Sequence, residues 1–297
     1  MRVLVTGSRG FVGSWLVRHF DESGYAVTGL DEHVDVTDAA ALREAVVGVA
    51  PDCIVHLAAL SSVGSSWGDS SRTYEVNTVG SANLLDAAAA CASPPRVLLV
   101  SSSEVYGWAG RDALPAREEL PVRPVSPYAA SKAAAEIVAL QMFRGRKLEV
   151  IVARPFNHTG PGQTANFVVP ALAQQVAAAA ASAAPSIRTG NLDVNRDISD
   201  VRDVVVAYRL LLEKGRPGQV YNVCSGRAVS IRSVAERLVE LSGLDIPIRV
   251  DPDRVRPVDV PDLWGDPGRL ESECGWEPAY SLDRTLRDVL DYWKVDA

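Results

Sequence analysis

The sequence predicts an α/β protein built on a doubly wound parallel sheet, with a smaller α/β lobe after it. Short apolar runs alternate with segments of helical periodicity from residue 1 to about residue 153, an order typical of parallel strands joined by crossover helices. The first run, residues 2–6, leads into a glycine-rich turn. The near-continuous apolar run at 53–59 is typical of a strand buried on both faces of a sheet. With 297 residues, the chain has room for a second lobe.

The composition is that of a soluble globular protein with a large core, since 47% of the residues are hydrophobic and 23% are charged. A formal net charge of -7 argues against a general binder of nucleic acids or of membrane surfaces. The first residues already form a predicted strand and turn rather than a secretion signal, so we expect a cytoplasmic protein. The four cysteines are widely spaced and the four histidines are scattered, which predicts neither a disulfide framework nor a metal site.

A glycine-rich turn separates the first predicted strand from a helix over residues 14–20. Glycines let the backbone turn tightly and approach a pyrophosphate, which then lies on the N–H groups at the helix N-terminus. A strand, a glycine turn and a helix in this order predict a dinucleotide site. The residues of the turn that we assign to this cofactor are Gly7, Arg9, Gly10, Phe11, Val12 and Gly13.

Two charged residues bear on the choice of cofactor. The second predicted strand, residues 25–30, ends at Asp31, whose carboxylate would accept hydrogen bonds from ribose hydroxyls and repel a 2′-phosphate. Arg9 indicates the opposite, because a guanidinium could pair with that phosphate. We therefore expect NAD(P)H, with Asp31 slightly favouring NAD. After a very short third strand, Asp35 and Val36 lie where adenine would pack, although Asp35 fits a turn equally well.

The apolar strand at 53–59 ends in small residues, and small residues leave space for a bound cofactor. We assign Leu57, Ala58 and Ala59 to the cofactor site. His56 lies within the apolar run and is predicted to be a core histidine rather than a catalyst. A helix over 39–49 precedes this strand and ends before Pro51.

The next predicted elements are a long helix over 70–91 and a strand over 96–100. The helix contains Asn77, which we assign to the cofactor site; its amide either bridges main-chain groups near the site or caps a neighbouring turn. The strand brings Ser102, Ser103 and Glu104 to the carboxyl edge of the sheet, where open α/β proteins bind ligands.

Tyr128 and Lys132 stand four residues apart at the start of a predicted helix, so they share one helical face. Ser126 is a natural N-cap, and Pro127 suits the first turn because it has no N–H group to lose. A nearby ammonium favours the phenolate, which predicts a lowered pKa for Tyr128 and a role as proton donor to a carbonyl. Such pairs are also frequent on exposed helices, so the pair needs support from the rest of the chain.

Four motifs together resemble those of the extended short-chain dehydrogenase/reductase family, over essentially the whole chain. They are Thr6-Gly7-x-x-Gly10-x-x-Gly13, His56-Leu57-Ala58-Ala59, Ser102 with Tyr106-Gly107, and Tyr128-x-x-x-Lys132. The resemblance implies a Rossmann fold in which Ser102 binds the substrate oxygen, Tyr128 exchanges its proton, and Lys132 lowers the tyrosine pKa and holds the nicotinamide ribose. It also implies a homodimer through the helices at 70–91 and after Pro127, which could otherwise pack internally.

The second half of the chain is predicted to interleave two lobes. The nucleotide-binding part covers residues 1–154, and 197–223, with a helix over 200–214, returns to it. The substrate lobe comprises 155–196 and 224–297. Trp276 is predicted to be a core residue. The remaining predicted elements are helices over 167–184, 231–242 and 282–293 and a strand over 246–250.

Motifs in this second half resemble those of GDP-4-keto-6-deoxymannose reductases and related nucleotide-sugar 4-ketoreductases. They lie at residues 153–163, 190–192, 196–203, 220–226 and 254–261. The resemblance implies a nucleoside-diphosphate sugar whose diphosphate is held by arginines, and bidentate guanidinium pairing suits that task. We assign Pro155 to the cofactor, and the substrate-binding candidates are Ser103, Asn157, Phe167, Asn191, Arg196 and Arg256.

The leading hypothesis is reduction of the C4 ketone of a nucleotide-linked 4-keto-6-deoxyhexose, GDP- or dTDP-linked. Glu104 keeps a second hypothesis open, because the dehydratases of this family carry a Glu at this place as the base that abstracts the C5 proton, and a carboxylate there could also support epimerisation. A third hypothesis is a non-catalytic NAD(P)-binding sensor, which would have no need of Ser102, Tyr128 and Lys132 together.

Overall fold

The computed structural model describes residues 1–31, 33–179, 186–254 and 260–295. A six-stranded sheet lies at its centre, in the order β10-β5-β4-β3-β1-β2, with every neighbouring pair parallel. This is the predicted doubly wound sheet. The strands are β1 (Arg2–Thr6), β2 (Ala26–Leu30), β3 (Cys53–His56), β4 (Arg96–Val100), β5 (Val150–Pro155), β6 (Asn157–Thr159), β7 (Ile187–Thr189), β8 (Asn195–Arg196), β9 (Ile198–Asp200), β10 (Val220–Val223), β11 (Val229–Ser230), β12 (Ile248–Val250) and β13 (Asp262–Leu263).

Helices cover both faces of this sheet, because its strands are apolar on both sides. Along β1, Val3 and Val5 pack in one hydrophobic cluster and Leu4 in the other. The helices are α1 (Phe11–Glu22), α2 (Ala39–Val49), α3 (Ser70–Tyr74), α4 (Gly80–Ala89), α5 (Pro127–Arg146), α6 (Val168–Ala179), α7 (Val201–Lys214), α8 (Ile231–Ser242), α9 (Gly268–Cys274) and α10 (Leu282–Val295).

Each of the two clusters contains residues of the helices that cover one face of the sheet. The cluster that contains Val3 includes Leu16 of α1 and Val204 of α7. The other contains Leu42 of α2, Leu84 of α4 and Ala139 of α5. A third cluster is built from α6, α8, α10 and β7, elements of the predicted second lobe. The edge strand β10 pairs with β5, although it follows β6–β9 in the chain.

Two predicted elements differ from the structure. The very short third strand before Asp35 is wrong: residues 31 and 33–38 contain no strand, because the Val34 N–H donates to the Asp31 carbonyl at 2.9 Å and so closes a turn there. The helix predicted at 70–91 is divided. A π-helical turn, Glu75–Val79, joins α3 to α4, and Asn77 lies in its middle.

Other predictions made from the sequence are confirmed by the structure. Ser126 caps α5, with its Oγ 3.2 Å from the N atom of Ala129. Trp276 is fully buried and its indole N–H donates to the Asp203 carbonyl at 3.0 Å, so its predicted core role is confirmed. All four cysteines are buried with free thiols. Within the described part of the chain, no helix combines the length and apolar character needed to span a bilayer.

Candidate active site

A cavity of about 920 Å³ opens at the carboxyl edge of the central sheet. It is lined by most of the residues that the sequence singles out. Those assigned to the cofactor are Gly7, Arg9, Gly10, Phe11, Val12, Gly13, Asp31, Asp35, Val36, Leu57, Ala58, Ala59, Lys132 and Pro155, and those assigned to catalysis or substrate are Ser102, Ser103, Glu104, Tyr128, Asn157 and Phe167. One continuous cavity therefore joins the glycine turn to the Tyr–Lys pair.

The glycine turn is shaped as a cradle for a diphosphate. Gly7 has φ +68°, and a Cβ on Gly13 would lie 2.1 Å from the Gly7 carbonyl oxygen, so neither position accepts a side chain. The Gly10 N–H donates to the same oxygen at 3.1 Å, and Gly10 then caps α1 without a side chain that could occupy the helix N-terminus. The residues present therefore fit a dinucleotide cofactor.

Asp31 directly follows β2, and its side chain binds the glycine turn. Its carboxylate accepts hydrogen bonds from the Ser8 hydroxyl at 2.7 Å and the Arg9 N–H at 3.0 Å. The Nε of Arg9 lies 3.2 Å from the other carboxylate oxygen, while the Arg9 side chain stays 74% exposed. The acidic and basic groups that indicate different cofactors are thus partners of one another.

Asp35 and Arg72 form a second ion pair at this end of the cavity. The Arg72 guanidinium lies 3.3 Å from Asp35 and 2.7 Å from Glu75. Hydrogen bonds from the Thr37 N–H and hydroxyl, followed by the charge of Arg72, hold the pKa of Asp35 below its usual value. Asp35 is thus both a turn residue and a cavity residue, and Arg72 joins the site from α3, a position that strand and turn motifs do not indicate.

One part of the cavity wall is formed by Ser102, Glu104 and Tyr128. Ser102 begins a 3₁₀ turn, Ser103–Tyr106, with its Oγ 3.2 Å from the N atom of Glu104. The Tyr128 phenol interacts with Ser102, and this interaction lowers the pKa of the phenol. A hydroxyl pair of this kind can bind a substrate oxygen and transfer a proton to it.

The expected lowering of the Tyr128 pKa is wrong. Burial raises the pKa of Tyr128 to about 12; the interaction with Ser102 lowers it and the charge of Glu104 raises it. Burial also lowers the pKa of Lys132 to about 8, against a raising effect of the Glu136 carboxylate. Desolvation outweighs the favourable spacing of the pair, so the phenol is neutral and able to donate a proton near neutral pH.

Asn77 and His56 lie behind the cavity wall rather than in it. The Asn77 amide bridges the main chain of Leu60, accepting from its N–H at 2.8 Å and donating to its carbonyl at 3.0 Å, and also donates to the Ser131 hydroxyl at 2.9 Å. His56 is buried between the hydroxyls of Thr6 and Ser81, at 2.7 and 3.0 Å. Burial lowers the pKa of His56 to about 3, which confirms a neutral core histidine.

The second-lobe candidates divide into two groups. Asn157 and Phe167 line the cavity, whereas neither Asn191 nor Arg196 is part of the lining that the described residues provide. Asn191 accepts from the Asp193 N–H at 3.0 Å, and Arg196, largely buried on β8, donates to the Asn195 carbonyl at 2.9 Å. Arg256 lies outside the described residues.

Several cavity residues were missed by the sequence interpretation, namely Gln163, Thr164, Asn166 and Tyr208. Gln163 is almost fully buried, and its amide N–H donates to the His158 carbonyl at 3.2 Å. Gln163 lies at the end of the motif at 153–163, and this position could have indicated that it belongs to the site. Tyr208 reaches the cavity from α7. In the sequence it cannot be distinguished from the other buried residues of this amphipathic helix.

Comparisons with known proteins show which family the chain belongs to. The family model described as GDP-mannose 4,6 dehydratase matches residues 31–289. The chain is 37% identical to GDP-6-deoxy-D-mannose reductase of Pseudomonas aeruginosa, over 99% of this chain and 97% of that protein. It is 32% identical to GDP-6-deoxy-D-talose 4-dehydrogenase of Aggregatibacter actinomycetemcomitans, over 98% and 97%.

Solved structures give the same result. RMD of Pseudomonas aeruginosa in complex with NADPH superposes with a TM-score of 0.93 at 36% identity, with coverage of 100% of this chain and 99% of that one. UDP-glucose 4-epimerase of Thermus thermophilus in complex with NAD superposes with a TM-score of 0.89 at 29% identity, covering 99% of each chain. On fold, motifs and full-length similarity, the chain belongs to the extended short-chain dehydrogenase/reductase family, within the group described by the GDP-mannose 4,6 dehydratase model.

Proposed function

We propose that this protein uses NAD(P)H to reduce the C4 ketone of a nucleoside-diphosphate 4-keto-6-deoxyhexose, GDP- or dTDP-linked. The observation that carries the proposal is the single cavity that joins the glycine cradle to Ser102, Tyr128 and Lys132. The full-length similarity to a GDP-6-deoxy-D-mannose reductase supports the substrate class. A cavity of about 920 Å³ lies near the upper end of the usual size range of ligand pockets, which supports an extended ligand that reaches Tyr128.

Tyr128, Ser102 and Lys132 have different roles in the proposed reduction. Tyr128, neutral because burial raises its pKa to about 12, donates the proton to the developing alkoxide. Ser102 hydrogen-bonds the same oxygen and orients the phenol. Lys132 holds the nicotinamide ribose. The reduced nicotinamide, when bound, supplies the hydride.

We further propose that NADH is slightly preferred over NADPH. Asp31 supports this preference, since a carboxylate at the end of β2 repels a 2′-phosphate. Arg9 weakens the repulsion, because its guanidinium lies 3.2 Å from Asp31 and is largely exposed to a ligand. The related structures hold either cofactor, NADPH in RMD and NAD in the epimerase.

Dehydration at C4–C6, or epimerisation, is the second candidate function. It is favoured by Glu104, a carboxylate that lines the same cavity and whose charge raises the pKa of Tyr128. A non-catalytic sensor is disfavoured, because cofactor binding alone does not need a hydroxyl pair beside the Tyr–Lys face.

The decisive experiment incubates the purified protein with candidate sugars and measures cofactor and products. We expect GDP- or dTDP-4-keto-6-deoxyhexose to be reduced with one equivalent of NAD(P)H consumed. Conversion of GDP-mannose or dTDP-glucose without net cofactor use would instead establish a dehydratase. Glu104→Gln separates the two: it should spare the reduction and abolish any dehydration, because an amide cannot act as the C5 base.

The assembly and the wider substrate site are also proposals. We propose a homodimer through α3, the π turn, α4 and α5, supported by the exposed apolar side chains of Tyr74, Val79 and Ile137 on these elements. We also propose that Arg196 and Arg256, with Asn191, serve the nucleotide end of the substrate from the second lobe.

A further inference from the structure

A buried ion pair joins two elements of the proposed active site. Glu136 lies on α5, four residues after Lys132, and Arg154 lies on β5, just before the cavity residue Pro155. Glu136 is 3% exposed and Arg154 is 4% exposed. The Arg154 Nε donates to one Glu136 oxygen at 2.9 Å and Nη2 donates to the other at 2.7 Å. The contact is therefore bidentate and shielded from water.

The same carboxylate also binds the segment that follows β4. The Ser101 hydroxyl donates to a Glu136 oxygen, and Ser101 is the residue before Ser102. On its other side, the Arg154 guanidinium lies 4.8 Å from the centre of the Tyr106 ring and donates to the Glu118 carbonyl at 3.2 Å. Glu136 thus connects α5, which carries the Tyr–Lys pair, with β5, which ends at Pro155, and with the segment after β4 that contains Ser102.

We propose that Glu136 is a positioning residue for the reduction: its buried carboxylate fixes Ser102 relative to Tyr128 and places a carboxylate one helical turn from Lys132 on α5. This proposal rests on the proposed function. Taking a carboxylate and a guanidinium out of water costs free energy that an apolar pair of similar size would not cost. A bidentate pair at the meeting point of three catalytic elements instead supplies fixed geometry, with the Glu136 oxygens held in one orientation.

The charge has a direct effect on Lys132. Burial lowers the pKa of Lys132 to about 8, and Glu136 is the group that raises it. His56, on β3, cannot replace this charge, since burial lowers its pKa to about 3. The titratable and charged groups in this region are Tyr128 and Glu136 on α5, His56 on β3, Glu104 after β4 and Arg154 on β5.

The main test is the pH profile of kcat/KM for Glu136→Gln, with the wild-type protein alongside. Without the carboxylate, Lys132 loses its proton at lower pH, so the alkaline limb should move by about one pH unit towards acid. The pH dependence of NADPH binding, followed by cofactor fluorescence, should move in the same direction. Asp200→Asn is the matched control, because Asp200 is an equally buried carboxylate paired with Arg202 at 2.7 Å and is not part of the cavity lining.

Ser101→Ala tests the geometric half of the proposal, since it removes one hydrogen bond and leaves the ion pair in place. It should lower kcat by about tenfold through misplacement of Ser102, with the alkaline limb unmoved. A folded Glu136→Gln protein with an unchanged limb would overturn the proposal, as would a control variant that moves the limb equally. If Glu136→Gln does not fold, a wild-type kcat for Ser101→Ala overturns it.

Failure of the proposed function would look different. In that case the wild-type protein reduces no 4-keto sugar, whereas the NADPH titration still reports whether Glu136 shifts the proton equilibrium of Lys132.

Discussion

The Asn77 side chain donates a 2.9 Å hydrogen bond to the hydroxyl of Ser131, the residue immediately before Lys132. Asn77 lies in the π-helical turn, and its amide also makes both main-chain hydrogen bonds to Leu60, which lines the cavity. One buried amide therefore connects a loop of the cofactor cavity to the helix that carries the Tyr–Lys pair.

Asn77→Ala should destabilise the protein, because it leaves the N–H and carbonyl of Leu60 without their side-chain partner and removes the hydrogen bond to the Ser131 hydroxyl. We expect a loss of about 1–3 kcal/mol in the free energy of unfolding, measured by urea denaturation. Asn83→Ala is a useful control, since Asn83 is only partly buried and donates to Val36 and Thr37 away from α5. Equal losses in the two variants would contradict a special role for the Asn77 bridge.

Tyr128→Phe should reduce turnover by at least about 10²-fold, because the phenol is the proton donor to the ketone oxygen. Cofactor affinity should stay unchanged, since the ring remains in place. Steady-state rates with a 4-keto sugar and a separate NADPH titration measure the two effects. Turnover near the wild-type level would remove Tyr128 from the mechanism.

Arg9→Ala should weaken NADPH binding by about tenfold, because it removes the guanidinium available to a 2′-phosphate and leaves the Asp31 charge unbalanced. Binding of NADH should change little. Asp31→Asn should act in the opposite sense and improve the affinity for NADPH relative to NADH. Dissociation constants of the wild type and both variants, measured by fluorescence, check these signs, and an unaltered ratio in Arg9→Ala would show that Arg9 does not face the phosphate.

Ile137→Glu should shift a homodimer towards monomer, because Ile137 is 70% exposed on α5 and a dimer interface there would bury it. Placing a carboxylate in an apolar contact costs several kcal/mol, roughly the scale of a buried unpaired charge. Sedimentation velocity gives the oligomeric state. Leu244→Glu is the matched control, since Leu244 is an exposed apolar residue after α8 in the second lobe. A monomeric wild type, or a variant that stays dimeric, would contradict the interface.

Features determined by neighbouring residues were predictable from the sequence. The glycine turn, the cap by Ser126 and the apolar strands follow from spacing and residue type, and the structure has them where they were expected. The short strand before Asp35 was wrong, since a backbone hydrogen bond from the Val34 N–H to the Asp31 carbonyl closes a turn there. That competition between a strand and a turn is hard to judge from residue type alone.

Features determined by tertiary burial were not predictable. The i,i+4 spacing of Tyr128 and Lys132 was correct, but the direction of the tyrosine pKa depends on how deeply the ring is buried, which the spacing does not report. The contributions of Arg72 and Tyr208 to the cavity likewise depend on how α3 and α7 pack against the sheet.

The late position of β10 in the chain has a consequence for synthesis and truncation. The Val152 N–H donates to the Gln219 carbonyl at 3.0 Å, and the Phe156 N–H donates to the Val223 carbonyl at 2.9 Å. Until residue 223 has left the ribosome, β5 is therefore an open edge strand whose polar groups lack these partners. A fragment that ends near residue 155 would keep that edge permanently open to other chains, so cutting the protein between its lobes would yield an aggregation-prone piece rather than an isolated cofactor-binding domain.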